Sequence, residues 1–503
     1  MNSSGAALAE EHRLHPAGML LAALGTFRRW LGLAAFPGIA ALINGEFGMR
    51  TVILILLGIV AVAILGAVWG VLSWRATTYR VAGGALHFKR GVLSQNERSL
   101  PLEHVQSVNT VQGVIQRLFG VVELRVEAAG GGWQPEISLP ALSRPAARDL
   151  REELTRARRA PEGVESEPSS TVLRKLSNRD LLVAGLTSGQ IGVAASVVAG
   201  LSQTVDDLLP GDLAQRLSEA LLPRTVLAGL LAVLAVALFA WMLSILGTVF
   251  AHAGFTLSRT TDGKYLHIKR GLLNRYETTV PLARIQAIRV VEGVLRQPFG
   301  LATLRVESAG FGTEEGVSTV LFPLLPRRQV EGFLRAATPL FGAPLDRLEP
   351  LPARARRRYV FRGALPVLVL AAPVAYLLFP WGLLALLLVL PAALYGLLRH
   401  RAAGWGMSGE RLVLRFRRLA RTTAVATRGR LQSRGFSVSP FQKRLRLATL
   451  EIEVASGRGG TGFRLVDLGR DAAGNLVDAL SARTSQAPSY DDKPGTINLK
   501  PEA

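Results

Sequence analysis

The sequence predicts a membrane protein in which three pairs of transmembrane α-helices alternate with three small domains of all-β or α+β type. Three observations predict this fold class: long apolar runs without charge, an internal repeat, and alternating apolar and charged residues within each copy. The chain has 503 residues, of which 49% are hydrophobic and only 19% are charged. This composition excludes a disordered chain, and it is too polar for a protein that lies entirely in lipid.

Six segments are predicted to span the membrane, in three close pairs. A helix needs about 20 apolar residues to cross the hydrocarbon core, and the second and fourth segments exceed this length. The third segment carries Thr187, Ser188 and Gln190, and the last pair is hinged at Pro380, with a re-entrant segment as the alternative to a full span. The predicted spans are 30–45, 50–72, 181–203, 225–250, 363–379 and 382–398.

The start of the chain contains two adjacent arginines, Arg28 and Arg29, within apolar sequence. An arginine at the centre of the bilayer costs at least about 2.5–3.5 kcal/mol on insertion scales. We therefore expect the pair at the membrane interface, with residues 17–27 lying along it and residues 30–45 crossing. A signal peptide is the alternative, and it is disfavoured because Glu10 and Glu11 precede the apolar run.

The distribution of positive charge predicts the orientation. Each pair of spans returns the chain to the side it left, so the three long segments share one side. Lys and Arg close to span ends mark the cytoplasmic side. The basic residues and segments that flank the spans on the side of the long segments are Arg75, Arg80, 174–179, 354–362 and 399–401. We therefore expect a bacterial inner (plasma) membrane protein with cytoplasmic domains, and the net charge of +22 predicts acidic partners.

An internal repeat is the strongest signal in the chain. Residues 86–91 (Leu-His-Phe-Lys-Arg-Gly) are closely matched at 266–271, and residues 124–127 (Leu-Arg-Val-Glu) recur at 304–307, each pair 180 positions apart. A weaker third copy, 326 positions after the first, has Leu-Glu-Ile-Glu at 450–453. This constant offset indicates a triplicated unit.

Each copy is predicted to be a small barrel or sandwich that ends in a helix. The alternation of apolar and charged residues at 124–127 is typical of half-buried strands. Helix-like stretches follow at 145–159, 327–340 and 472–483. The predicted segments are a first interfacial and transmembrane region 1–73, domains at 74–160, 251–342 and 399–484, linkers at 161–180 and 343–362, transmembrane pairs at 181–250 and 363–398, and a disordered tail at 485–503.

These repeated residues resemble those of the bacterial pleckstrin-homology-like (PH-like) domain. The resemblance rests on Lys89-Arg90-Gly91, Pro101-Leu102, Gln106-Ser107, Phe119-Gly120 and 124–127, with their counterparts in the second copy. The third copy departs from it, with Arg428 in place of the leucine and Leu445-Arg446 in place of Phe-Gly. Paired spans with three such domains resemble the YdbT-like family of membrane proteins. The resemblance implies seven-stranded split barrels, each capped by a helix, and no catalytic residues.

Catalytic chemistry is not expected. The chain has no cysteine, which removes disulfides and thiolate metal sites, and it lacks the common nucleophile, zinc and phosphate-loop motifs. Glu127, Glu307 and Glu453 are each at the polar position of an alternating strand, and His87 and His267 are predicted on solvated strand faces. We therefore predict no enzyme activity, no metal and no cofactor.

Basic residues at strand ends are the candidate binding residues. Beside an anionic leaflet, each surface Lys or Arg adds about 1 kcal/mol of attraction. The alternative is that these charges only enforce topology and solubility. Nucleic acid is not an expected partner, because no aromatic stacking residues accompany the basic ones. The candidates are Lys89, Arg90, Lys269, Arg270, Arg415, Arg417 and Arg418.

The sequence therefore predicts a non-catalytic scaffold or envelope-stress component. Its domains are expected to bind protein partners and anionic lipid headgroups. The expected partners are membrane lipids and other membrane proteins, including a second PH-like membrane protein, and self-association stays open. The alternative is a transporter or efflux component with the domains as cytoplasmic gates, which requires a polar cavity near Gln190.

Overall fold

The computed structural model describes residues 11–43, 48–128, 137–159, 170–188, 226–308, 319–455 and 461–481. The predicted tail 485–503, Gln190 and most of the predicted span 181–203 lie outside the described residues. The chain forms two compact units. The first contains residues 1–350, 401–431 and 453–462, and the second contains residues 351–400, 432–452 and 463–503.

Antiparallel sheets build the first unit. Its strands are β1 (His12–Arg13), β2 (Thr78–Ala82), β3 (Ala85–Arg90), β4 (Asn96–Pro101), β5 (Val105–Gln112), β6 (Val121–Ala128), β7 (Ile137–Ser143), β8 (Ser170–Lys175), β9 (Thr256–Thr260), β10 (Tyr265–Arg270), β11 (Arg275–Pro281), β12 (Ile285–Glu292), β13 (Leu301–Ser308), β14 (Thr319–Pro326), β15 (Glu349–Pro350), β16 (Gly404–Ser408), β17 (Arg411–Arg417) and β18 (Arg421–Thr427).

Each PH-like domain divides its strands between two sheets. In the first domain β2, β3 and β4 belong to one sheet and β5, β6 and β7 to another, and the second domain divides in the same way. Leu124 and Val126 of β6 are fully buried while Arg125 and Glu127 are partly exposed, which is the alternation that predicted the strand. The predicted fold class of membrane helices with split β domains is confirmed.

Successive domains are joined by continuous sheets. The orders are β7-β6-β5-β11-β10-β9-β8 and β14-β13-β12-β18-β17-β16-β15, so the second sheet of one domain continues into the first sheet of the next. Gln112 of β5 is opposite Arg275 of β11, and Glu292 of β12 is opposite Arg421 of β18. These two pairs are equivalent positions of the repeat, so both joints use one register.

A short strand precedes each membrane excursion and pairs with the strand that follows it. His12 of β1 is opposite Tyr79 of β2, Lys175 of β8 is opposite Thr256 of β9, and Glu349 of β15 is opposite Trp405 of β16. The chain therefore leaves a sheet and returns to the same sheet. The predicted linkers 161–180 and 343–362 are thus not simple linkers, because they contain β8 and β15, whose backbone groups pair with a domain.

Helices of the first unit lie between these strands. They are α1 (Ala17–Ile43), α2 (Met49–Arg75), α3 (Val114–Leu118), α4 (Arg144–Arg159), α5 (Asn178–Leu186), α6 (Val226–His252) and α7 (Val330–Ala337). The helices α1 and α2 approach closely at Gly70, where a Cβ would lie 2.9 Å from the Ala23 Cβ. The sequence predicts a division of α1 after residue 27, but the helix is continuous. Arg28 and Arg29 are exposed within this helix.

Four helices among the described residues are long and apolar enough to cross a membrane, against the six spans predicted. They are Val52–Arg75, Leu234–His252, Ala353–Leu377 and Trp381–Ala402. The two others have different outcomes. The predicted span 30–45 belongs to α1, and only the first residues of 181–203 are described, within α5 and the turn after it.

The second unit contains the last helix pair and most of the last three strands. Its elements are α8 (Ala353–Leu377), a 3-10 segment (Trp381–Leu388), α9 (Val389–Ala402), α10 (Pro440–Arg444), α11 (Arg470–Ser481), β19 (Leu431–Ser437), β20 (Leu447–Val454) and β21 (Thr461–Gly469), with sheet order β19-β20-β21. The helix α8 begins ten residues before the predicted span 363–379.

A buried carboxylate explains the early start of α8. Asp467 is fully buried and forms ion pairs with Arg358 at 3.2 Å and Arg362 at 2.9 Å. It also accepts a hydrogen bond from Gln442 at 2.8 Å. The first turns of α8 are therefore bound to the last domain through Arg358 and Arg362.

Candidate functional site

A glycine at the same repeat position gives the strand-end hairpins of the first two domains their shape. Gly91 and Gly271 follow the two Lys-Arg pairs and have φ of 129° and 104°. A Cβ at either position would collide with a backbone carbonyl oxygen, of Ser94 or of Asn274. Only glycine fits here. The Lys-Arg-Gly repeat is thus a strand end followed by an obligatory tight turn, and this turn sets the position of the basic pair.

These hairpins lie at the domain-side ends of long apolar helices. Gly271 and Leu272 donate backbone hydrogen bonds to Ala253 O and Phe250 O, at 2.8 and 2.9 Å, at the end of α6. Arg415 donates from Nε to Ala402 O, the last residue of α9, at 3.0 Å. In the first domain, Arg90 lines a cavity together with residues of α1 and α2. The strand-end cations therefore lie next to the domain-side ends of the long apolar helices.

The cavity at Arg90 has a volume of about 230 Å³. The helix α1 contributes Thr26 and Arg29, α2 contributes Trp69 and Trp74, and the first domain contributes Arg90. Trp is enriched where membrane helices meet the headgroup region. The cavity thus combines two arginines with the aromatic residues typical of the membrane interface.

The polar groups of the cavity leave its positive charge uncompensated by carboxylates. Trp74 Nε1 donates to Leu14 O at 2.8 Å, and Thr77 Oγ1 donates to Ser73 O at 2.7 Å. Arg29 uses only Nε, which donates to Gly25 O at 3.2 Å. No Asp or Glu is among the lining residues. For Arg90, the described part of the chain supplies no acceptor. Two guanidinium groups in one cavity are suited to a phosphate-bearing anion.

The equivalent cations of the second domain are engaged with neighbouring strands. Lys269 forms an ion pair with Glu277 at 3.1 Å, and the Arg270 guanidinium lies 5.5 Å from the centre of the Tyr276 ring. Both partners belong to β11, the adjacent strand of the hairpin. These contacts tie the cations to the sheet and reduce their availability to a ligand.

The third domain uses its arginines in the same structural way. Arg417 donates to the Gln297 side chain of the second domain, across the joint between the two domains. Burial lowers the pKa of Arg415. Arg418 is exposed at the hairpin tip. The seven predicted residues therefore do not form one site, and Arg90 is the one that lines the cavity.

Sequence reasoning did not identify Arg29 as a ligand-binding candidate. Its adjacency to Arg28 between apolar runs predicted only its depth in the membrane. The contact between α1 and the first domain, which brings Arg29 to the cavity of Arg90, is tertiary. The sequence did offer one signal for this cavity. Arg29 and the strand-end arginine Arg90 were both expected beside the membrane surface.

A second set of residues, the docking residues, ties the turn that carries them to the last strand of the same domain. Gln116, Arg296 and Gln442 are equivalent repeat positions, and each donates to the last strand of its domain. Gln116 Nε2 bonds Pro140 O at 2.9 Å, Arg296 Nη1 bonds Pro323 O at 2.9 Å, and Gln442 Nε2 bonds Asp467 at 2.8 Å. The repeat offset is the signal that could have found them.

Arg296 extends this contact to a membrane-proximal helix. It is only 8% exposed, and it also donates to Ala184 O and Thr187 Oγ1, both at 3.1 Å, at the end of α5. Burial, with a smaller contribution from Arg305, lowers the pKa of Arg296 to about 10. The side chain is thus still charged at neutral pH and binds α5 to the second domain.

The same turns carry exposed apolar side chains next to the docking residues. Leu118 is 80% exposed, Phe299 is 70% exposed and Phe441 is 70% exposed. Each lies in the segment between the first and second strands of its domain's second sheet. Exposed apolar residues that recur in all three copies indicate contact with an apolar environment.

Among the repeated carboxylates and histidines, Glu127 and His267 have structural partners. Glu127 accepts hydrogen bonds from Ser107 at 2.7 Å and Asn109 at 3.1 Å, and burial raises its pKa. His267 is not solvated as predicted, because its Nδ1 lies 3.0 Å from Thr279 Oγ1 in the adjacent strand and the ring is partly buried. Burial, followed by the charges of Arg151 and Lys269, lowers its pKa to about 4.

Comparisons with known proteins agree with the repeat. The profile of the family described as bacterial PH domain matches residues 23–158, 210–338 and 364–484. The chain is 32% identical over 489 residues to the UPF0699 transmembrane protein YdbT of Bacillus subtilis (strain 168), across 93% of this chain and 98% of that protein. No solved structure matches. The resemblance inferred from the repeated residues is confirmed.

Proposed function

Because the chain belongs to the bacterial PH domain family and to the UPF0699 transmembrane proteins, we propose that it is a non-catalytic membrane scaffold whose first domain binds an anionic phospholipid headgroup. In this proposal the three domains lie on the cytoplasmic face of the plasma membrane. The observation that carries it is the cavity that Arg29 and Arg90 line together with Trp69 and Trp74.

Headgroup binding is supported by the position and charge of this cavity. Arg29 and Arg90 line it beside the domain-side end of α2, and guanidinium groups match phosphate geometry in bidentate hydrogen bonds. Both arginines line the cavity, and no Asp or Glu is among its lining residues. A lipid bound here would hold the first domain against the membrane surface.

The scaffold role is supported by the joints between domains. Continuous sheets at β5–β11 and β12–β18 oppose independent rotation of the domains. Arg117 also donates to Leu272 O at 2.6 Å and Leu273 O at 3.1 Å across the first joint. Domains held at fixed spacing would present fixed surfaces to protein partners in the membrane.

The test is retention of an anionic lipid by the purified full-length protein. We expect native mass spectrometry to detect phosphatidylglycerol bound in preference to phosphatidylcholine. Arg90→Gln and Arg29→Gln should each weaken this binding about tenfold, the scale of one lost charge-assisted hydrogen bond to phosphate.

The control variants carry equivalent arginine or lysine changes outside the cavity. Lys269→Gln should retain the lipid, because its partner is Glu277. Arg418→Gln removes an exposed hairpin arginine with the same change in net charge. Equal loss of lipid binding in all four variants would mean that the binding is general electrostatic attraction. No loss of binding in the two cavity variants would refute the site. Circular dichroism and thermal unfolding establish that each variant is folded.

A further inference from the structure

Two of the sheet edges in the described part of the chain, those of β4 and β19, are complementary. The strand β4 ends the four-stranded sheet of the first domain, and β19 ends the three-stranded sheet of the last domain. Residues 96–99 of β4 and 432–434 of β19 are exposed. Among the described strands, none pairs with the outer edge of either. Unpaired edges present backbone donors and acceptors to another strand.

The two joints between domains show which kind of strand each of these edges pairs with. β11 and β18 occupy in their domains the position that β4 occupies in the first, and β5 and β12 occupy the position of β19. The pairs β5–β11 and β12–β18 are the two internal joints. The chain therefore forms the same type of joint twice. The open edge of β4 in the first domain and the open edge of β19 in the third domain are the two halves of one further joint.

The repeat offsets also predict the register of a third joint. In the second joint Val291 is opposite Thr422 and Val290 is opposite Thr423. The equivalent positions place Ser437 opposite Asn96 and Phe436 opposite Glu97. In this register Gly435 faces Arg98 and no like charges are directly opposed. Glu97 and Arg434 become diagonal neighbours of opposite charge, which is a favourable cross-strand arrangement.

The contact beside the strands repeats as well. Arg117 of the first domain reaches the hairpin of the second, and Gln297 of the second reaches the hairpin of the third. The equivalent residue of the third domain is Lys443, which is exposed. A hairpin of the first-domain type, at residues 91–95, would give this lysine the same kind of partner.

We propose that a second copy of this chain pairs its β4 with β19, so that the protein assembles head to tail through the joint it already uses internally. A second copy is the occupant because each chain supplies both halves of the joint in matching register. Such a heterologous contact generates a ring when the rotation closes and a filament when it does not. This proposal is independent of the headgroup cavity.

Disulfide crosslinking tests the register directly, since the chain contains no cysteine. Two differently tagged full-length copies are co-expressed in membranes, one with Asn96→Cys and the other with Ser437→Cys. Opposed residues of antiparallel strands lie about 4.5–5.5 Å apart, within disulfide range. We expect a mixed-tag, reducible dimer. Glu97→Cys with Phe436→Cys tests the neighbouring pair, because the two alternating pair types differ in disulfide geometry.

Two controls calibrate the crosslink. Val111→Cys with Tyr276→Cys in one chain joins residues already paired in the first joint, and it reports the yield of a formed joint. Asn96→Cys with Glu453→Cys should give no dimer, because Glu453 lies on β20 rather than on an edge. Absence of mixed dimers while the internal control forms would overturn the proposal. So would an intramolecular disulfide alone in a chain that carries both Asn96→Cys and Ser437→Cys.

Charge exchange provides a second measurement without cysteines at the edge. Glu97→Arg or Arg434→Glu alone should lower the fraction of chemically crosslinked dimer about two- to fivefold, and the double variant should restore it. Equal dimer yields in all of these variants would contradict the diagonal contact that the register predicts.

Discussion

At the residue scale, one side-chain position performs the same task in all three copies with different chemistry. Gln116 and Gln442 each donate within their own domain, whereas Arg296 also reaches α5. A glutamine has one amide to donate from, and an arginine has a branched group with five N–H donors. The longer side chain therefore extends a contact within the domain into a contact with a membrane-proximal helix.

Replacement of Arg296 should separate these two tasks. Arg296→Ala removes the hydrogen bonds from the guanidinium to the carbonyls of Pro323 and Ala184 and should lower the free energy of unfolding by about 1–3 kcal/mol. Arg296→Gln should recover part of this loss, since glutamine serves in the other two copies. Thermal unfolding in detergent measures the difference in stability. Equal loss of stability in both variants would contradict the prediction that glutamine restores the hydrogen bond within the domain.

Glu127 predicts a pH dependence of the first domain. Burial raises its pKa, so the folded state holds the proton more tightly than the unfolded state does. Its contribution to stability is therefore fully present below the unfolded pKa and is lost as the pH rises through the folded pKa. Relative to Glu127→Gln, the wild type should gain stability as the pH falls from 7.5 to 4.5. A stability difference independent of pH, measured by thermal unfolding, would exclude this linkage.

At the element scale, the segment between the first two strands of each second sheet combines docking and exposure. It contains the docking residue, which points into its own domain, and it leaves apolar residues such as Leu118 and Phe299 exposed. The helix α3 also packs beside α1, whose arginines were predicted at the interface. Apolar side chains next to helix ends are positioned to enter the headgroup and acyl boundary.

A depth measurement tests this assignment of the apolar turn. A single Leu118→Cys labelled with an environment-sensitive fluorophore should be quenched by lipids that carry a nitroxide near the headgroup. Glu152→Cys on the exposed side of α4 provides the matched label away from the turn and should be quenched several-fold less. Similar quenching at both positions would mean that the turn does not contact the membrane.

At the scale of the whole molecule, the three leading strands impose an even number of crossings in each membrane excursion. β1, β8 and β15 pair with the strands that follow the excursions, so both ends of each excursion lie on one side. The domains therefore share a side of the membrane whatever the number of spans. Positive charge near the helix ends predicts that this side is the cytoplasm.

Labelling of single cysteines tests the orientation. Leu93, at the tip of the first hairpin, is 90% exposed, and the chain has no other cysteine to react. Leu93→Cys should resist a membrane-impermeant maleimide in intact cells and react almost completely after permeabilisation. Full reaction in intact cells would place the domains on the outer side and would remove the anionic cytoplasmic leaflet from the proposed function.

Local pattern was sufficient to predict the units of this protein. The apolar runs identified the helices because a membrane span needs only length and hydrophobicity, and the alternating residues of 124–127 identified strands because the pleat has period two. The Lys-Arg-Gly repeat predicted the hairpins and placed Arg90 at a strand end. Its cavity was not predictable, since Arg29 is far away in the sequence.

By itself, the sequence determined the membrane character, the triplicated PH-like unit and the basic strand ends, because each of these follows from residues close together in the chain. Only the tertiary structure decided which edges of these units pair. A strand has two edges, and its side-chain pattern does not tell which of them meets which neighbour. The joints β5–β11 and β12–β18, the cavity of Arg29 and Arg90, and the open edges of β4 and β19 all depend on that pairing.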